Sequence, residues 1–437
     1  MIRVILGIVL AFALSGPLRA AVDIQEVTSP GGIRAWLVEE HSIPFTALEI
    51  RFRGGGSLDR PGKRGAINLM TALIEEGAGD LDAQGFAAAR DRLAASYSFD
   101  VHRDALTIST RFLSENRDEA IALLRLALNE PRFDQDAVDR VRGQVLSNIR
   151  GDENDPNGIA SRTFSALAYG DHPYATPIDG TIESVTALTR DDIVTAFADT
   201  VTRDRVYVGA AGDITAEELG VLLDSLLGDL PEKGAPLPKM AEVTLDGGVT
   251  LVPFDTPQSV SIFGHTGIAR DDPEFFPAFV ANEIFGGSGR QSRLSLEVRE
   301  ERGLTYGIGS YIANYDYAHL MVGQLASAND RMGEAIEVIR EEWAKVAAEG
   351  VTAEELDQAK TYLTGAYPLR FDGNGNIARI LVGMQIDHLG IDYIATRNSK
   401  VEAVTLEDIR KVAKRLYRPE DLRFVVVGQP NGVEAVN

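Results

Sequence analysis

The sequence predicts an α+β protein of two tandem homologous domains, each a mostly antiparallel sheet with helices packed on one face. Three observations carry that reading. Residues 185–193 (Val-Thr-Ala-Leu-Thr-Arg-Asp-Asp-Ile) are echoed by residues 401–409 (Val-Glu-Ala-Val-Thr-Leu-Glu-Asp-Ile), and the match continues ungapped, at an offset of 216, from 206–212 to 422–428. Each copy reads as a capped helix followed by a buried strand ending at glycine, and a constant offset over such a length marks an internal duplication. In both copies strand patterns precede long helical patterns, the order of an α+β layer fold. Residues 230–238 hold three prolines and a glycine, which favours an extended connection between the copies. Two unrelated α/β domains are the alternative.

Taken in order, residues 1–20 read as a secretory signal. Arg3 supplies the positive start, residues 4–14 are apolar, and Leu18-Arg19-Ala20 offers a cleavage point before Ala21. An uncleaved anchor is the alternative, but the apolar run is short for a bilayer. The expected address is the periplasm, without stable membrane insertion. The first domain, 21–230, contains the run 48–53, where apolar and charged residues alternate as in a sheet with one covered face. Residues 106–112 do much the same, and helical patterns follow over 117–128 and 134–150. A linker spans 231–243. The second domain, 244–437, repeats the scheme with helical patterns at 329–348 and 353–366. Glu119-Ala-Ile121 and Glu334-Ala-Ile336 open helices at an offset of 215.

Composition excludes several classes. The chain has no cysteine, which removes disulfides, thiolate metal sites and cysteine nucleophiles. Its formal net charge is −22, and loss of the leader removes two arginines and no acid. A surface this acidic argues against nucleic acid and anionic lipid as partners. The six histidines (His41, His102, His172, His265, His319, His388) stand singly, without an i, i+3 or i, i+4 pair.

The run Arg299-Glu-Glu-Arg-Gly-Leu-Thr-Tyr306, preceded by Ala281-Asn-Glu-Ile-Phe-Gly286-Gly287-Ser-Gly289, resembles the substrate-binding half of the pitrilysin-type zinc peptidases. That group includes mitochondrial processing peptidase and insulin-degrading enzyme. Gly54-Gly-Gly-Ser57, the helix after it, and the segment 169–185 match the family's first half in order and spacing, so the resemblance covers nearly the whole mature chain. It implies a clamshell arrangement of the two domains. It also implies that Arg299 and Tyr306 bind substrate, since a guanidinium fork and a phenol can both donate to a scissile carbonyl. In the noncatalytic subunit of mitochondrial processing peptidase, a run like Gly286, Gly287 and Gly289 touches substrate. The bland alternatives are an exposed arginine pairing with neighbouring glutamates, a core tyrosine, and a helix cap followed by a turn.

The sequence departs from the family at its metal. Two imidazoles at i and i+4 and a glutamate at i+3 are needed on one helix, with a further glutamate about 76 residues on. Asn68, Thr71 and Ala72 occupy the first three positions, and Asn148 (or Ser147) the fourth. Asparagine and threonine are poor zinc ligands, and alanine is none. The sequence therefore implies no metal and no cofactor in this chain. What the resemblance leaves is a noncatalytic, substrate-binding subunit of a heterodimeric exported zinc peptidase. A homologous partner carrying H-x-x-E-H would bring Zn, and unfolded or extended peptides would be the substrate. A non-proteolytic peptide-binding or scaffold protein of the same fold is the alternative.

Overall fold

A computed structural model describes residues 23–287 and 289–436; the signal-peptide reading of residues 1–20 lies outside them. The first half builds a six-stranded sheet from β1 (Gln25–Thr28), β2 (Arg34–Glu39), β3 (Phe45–Arg53), β6 (Ser96–Val101), β7 (Ala105–Leu113) and β8 (Val206–Gly212). A small hairpin, β4 (Gly77–Ala78) and β5 (Leu81–Asp82), stands apart from it. The second half builds a five-stranded sheet from β9 (Gly248–Pro253), β10 (Gln258–Thr266), β11 (Ile308–Tyr315), β12 (Ala318–Ala328) and β13 (Arg423–Gly428).

The strand orders are β1-β2-β8-β3-β7-β6 and β11-β12-β10-β13-β9. Read from opposite ends, β2-β8-β3-β7-β6 and β9-β13-β10-β12-β11 are the same sheet built twice. In each, a single parallel pair (β2 with β8, β13 with β9) accompanies antiparallel neighbours. The repeated segments behave alike: Thr189 and Thr405 each close a capping box on the helices Arg190–Thr200 and Leu406–Leu416, and each helix leads into its half's buried strand. The carboxylate at N3 and the threonine hydroxyl satisfy each other's end of the helix, which fixes where it starts.

Each sheet carries its main helical layer on one face. In the first half Leu48, Ile50 and Phe52 point into that layer; in the second, Phe263 and Phe424 do, Phe263 against Trp343 of the helix Met332–Glu349. The opposite faces are covered by one helix each, taken from the other half. Pro156–Tyr169 sets Ala160 and Phe164 against Val425 and Val427 of the second sheet. Asn374–Ile386 sets Ala378 and Leu381 against Ala47 and Ala211 of the first. Alternation in 48–53 reads as one covered and one wet face, whereas Glu49, on the second face, is only 3% exposed. Its carboxylate stays there because Arg51 lies 3.0 Å away and Ser109 Oγ donates to it at 2.6 Å. Among the described residues, no helix is long and apolar enough to cross a membrane.

Candidate functional site

The helix Ala66–Leu73 buries Ile67, Leu69, Met70 and Leu73 and packs against Gln135–Glu153, so the fourth metal position and the first three lie on adjoining helices. Its start is fixed by Asp59, whose carboxylate accepts from the amides of Gly65 (2.7 Å) and Ile67 (2.9 Å). Burial pushes that carboxyl up to about 6, against the pull of Arg64 and the amides.

None of the four positions offers metal chemistry. Asn68 is half-buried and Ala72 is exposed. Thr71 is buried and spends its hydroxyl on Ile67 O within its own helix (2.7 Å). Asn148 is exposed and accepts from Gln144 at 3.1 Å. The nearby carboxylates are taken by arginines: Glu75 by Arg90 at 3.1 Å and Glu76 by Arg140. Among the described residues no group of three or more His, Asp or Glu side chains is placed to hold a metal. The donor set does not fit zinc.

The corresponding helix of the second half, Phe275–Gly286, ends on the glycine run. After it comes a stretch of π-helix, Ser295–Glu301, and then β11, the outer strand of its sheet. These elements enclose a cavity of about 560 Å³ lined by Gly286, Gly287, Gly289, Arg299, the 307–311 backbone and Gln324. The structure thus brings Arg299 and the glycine run together. A π-turn holds one more residue than an α-turn, re-aiming the side chains beyond it, and such insertions recur at functional sites. Arg299 is 30% exposed, and its nearest carboxylate, Glu300, lies 3.7 Å off, beyond hydrogen-bond reach.

Tyr306 stands two residues before β11 and is 88% exposed. It is not among the residues lining the Arg299 cavity, and it is not a core tyrosine. The glycines divide by role. A Cβ on Gly286 would lie 2.1 Å from Ser310 Oγ and 2.8 Å from Ser310 N, and one on Gly287 would lie 2.7 Å from Glu283 O. A Cβ on Gly289 would meet nothing closer than 3.9 Å. Two of the three are therefore needed for close packing, which Asn282 secures by exchanging hydrogen bonds with Ser310 O (3.0 Å) and Oγ (2.8 Å).

Residues 187–363 match the family described as the peptidase M16 inactive domain. Over that stretch the chain is similar to M16 peptidases. Over 394 residues it is 28% identical to the "Non-peptidase homolog YmxG" of Helicobacter pylori, covering 89% of this chain and 90% of that one. It is 23% identical to the "Uncharacterized zinc protease YmxG" of Bacillus subtilis, with 94% and 99% covered. Among solved structures, a peptidase M16 inactive domain from Pseudomonas fluorescens superposes with a TM-score of 0.87 at 25% identity, covering 94% of this chain and 99% of that one. The chain is thus similar, over nearly its whole length, both to inactive M16 domains and to zinc-protease-like proteins.

Three of the histidines settle into structural roles. His265 is buried, placing Nδ1 2.8 Å from Thr266 O and accepting from Trp343 Nε1 at 3.1 Å; burial drops its pKa to about 4. His41 bridges Glu39 and Asp213 at the surface, and His172 lies 3.0 Å from Lys239 O. Sequence reasoning missed one feature, a cluster of arginines between the halves. Its members lie at positions 51, 270, 370, 379 and 397, too far apart in sequence to form any motif.

Proposed function

We propose that this chain is the noncatalytic, peptide-binding subunit of a heterodimeric zinc peptidase that works outside the cytoplasm. One observation carries the reading: Arg299, whose nearest carboxylate among the described residues (Glu300, 3.7 Å) is not hydrogen-bonded to it, lies in a cavity whose wall is the outer strand β11. An outer strand has backbone groups left to pair, and an extended peptide added there is held by main-chain hydrogen bonds without sequence demands. Arg299 then has donors for a peptide carbonyl. Tyr306, exposed beside the start of β11, is available to a substrate or a facing subunit. The partner, a homologous H-x-x-E-H chain, contributes Zn and the general base. The leader-like residues 1–20 support export to the periplasm.

The test is reconstitution with such a partner. Arg299→Ala or Tyr306→Phe is expected to lower turnover at least tenfold at unchanged zinc content. Full turnover by both variants overturns the reading. The Helicobacter pylori relative, named a non-peptidase homologue, favours a second reading, a peptide-binding or scaffold protein that takes no part in proteolysis. Under that reading the chain is recovered without a zinc-bearing partner and still binds unfolded peptide.

A further inference from the structure

The arginines between the halves form a second site that the Arg299 cavity does not use. Arg51 comes from β3 of the first sheet, Arg379 from the exchanged helix Asn374–Ile386, and Arg270, Arg370 and Arg397 from the second half; together they line a pocket of about 400 Å³. Among the described residues Asp387 is the one carboxylate on the lining, 3.9 Å from Arg270 Nε. Glu49 balances Arg51 from behind at 3.0 Å. Five guanidiniums against two carboxylates is a concentrated positive centre in a chain whose net charge is −22.

Aromatic rings hold two of these charges. Arg270 stacks over Phe275 at 4.2 Å and donates to Tyr393 Oη at 2.6 Å. Arg397 lies 4.6 Å over Tyr367 and is pinned by Leu363 O at 2.7 Å. Stacking of this kind holds the planar forks rigid and poorly hydrated, the state in which a guanidinium best grips a carboxylate with two parallel bonds. Arg370 and Arg379 stand exposed, and Arg379 donates to the amide oxygen of Asn376 at 3.3 Å. The volume accommodates one side chain or chain end.

The geometry points to a binding pocket for a peptide carboxylate, either an Asp or Glu side chain or a free C-terminus, seated between the two halves. The site goes beyond the proposed function, because it belongs to the isolated chain and needs no catalytic partner.

The experiment measures binding of three labelled unstructured decapeptides to the full chain by fluorescence anisotropy in low salt. One carries two aspartates and an amidated end. One has asparagines instead and a free carboxylate. The third is neutral and amidated. At least one of the first two is expected to bind tenfold or more tighter than the neutral peptide, and which one does identifies the source of the carboxylate. Arg370→Gln with Arg379→Gln, both exposed positions, should abolish that advantage with the far-UV spectrum unchanged. Arg92→Gln with Arg150→Gln, a charge-matched pair at exposed positions elsewhere, should keep it. Equal binding of all three peptides, an advantage that survives the Arg370/Arg379 change, or tighter binding of inorganic phosphate than of either carboxylate peptide would overturn the assignment.

Discussion

Adding one methyl group to Gly286 forces Ser310 aside, because backbone as well as side chain stands in its way. Gly286→Ala should therefore cost about 1–3 kcal/mol, measured by urea unfolding, while Gly289→Ala should stay within ~0.5 kcal/mol. His265 makes a second test at this scale. Its folded pKa is near 4, below the ordinary 6.5, so the unfolded chain binds the extra proton first as pH falls. The resulting loss of stability begins below about pH 6.5, is complete below about pH 4, and amounts to about 3 kcal/mol. Trp343 donates to the imidazole nitrogen that would take the proton, so its fluorescence in a Trp36→Phe background should titrate with a midpoint near 4. His265→Gln should remove that transition. Single residues were also where the sequence spoke most plainly about the site: the loss of ligands at 68, 71, 72 and 148 was legible at once, since ligand chemistry belongs to the residue itself. The exposure of Tyr306 and the division of labour among the glycines were not, because both depend on what β11 brings alongside.

At the scale of elements, the repeated capped helices were legible because capping boxes are local. Thr405→Ala, which removes one side of such a box, is expected to cost about 1 kcal/mol in thermal or urea unfolding. The exchange of helices between halves was not legible. An amphipathic pattern says that a helix has an apolar face, and it is silent about which sheet receives it. The π-stretch that carries Arg299 escaped for a related reason, since its sequence has ordinary helical periodicity. The close seat of the exchanged helix gives a sharp test. A Cβ on Gly209 of β8 would lie 2.4 Å from Ala378 O, so Gly209→Val should cost about 3 kcal/mol and render the 231–243 connection sensitive to limited proteolysis.

For the molecule as a whole, the halves meet through polar groups as well as exchanged helices. Asp104 accepts from the Tyr174 hydroxyl and from Asp316 N at 3.1 Å, Tyr317 N donates to Tyr174 Oη at 3.2 Å, and Asp316 pairs with Arg53. Burial pushes the Asp104 carboxyl up to about 6. A folded pKa above the unfolded 3.8 means that this group favours folding most at low pH, with ~1–3 kcal/mol lost as pH climbs from about 4 to about 6. That slope is opposite in sign to the one from His265. Urea unfolding across this range should separate the two: Asp104→Asn should leave a curve that rises more steeply with pH, and His265→Gln one that rises less. Proteolytic cutting within 231–243 should leave the two fragments co-eluting in size exclusion, because each keeps hold of a helix belonging to the other.

That last point bears on how such a protein could open. Two lobes joined by a bare strap can swing apart like a hinged box. Here each lobe keeps one finger of the other folded against its back, so parting them would first mean peeling Ala378 and Leu381 off one sheet and Ala160 and Phe164 off the other. The exchanged helices therefore tie the two lobes of a single chain to each other. If the chain is paired as proposed, the gape that admits a peptide is expected at the seam between the two subunits rather than between these halves.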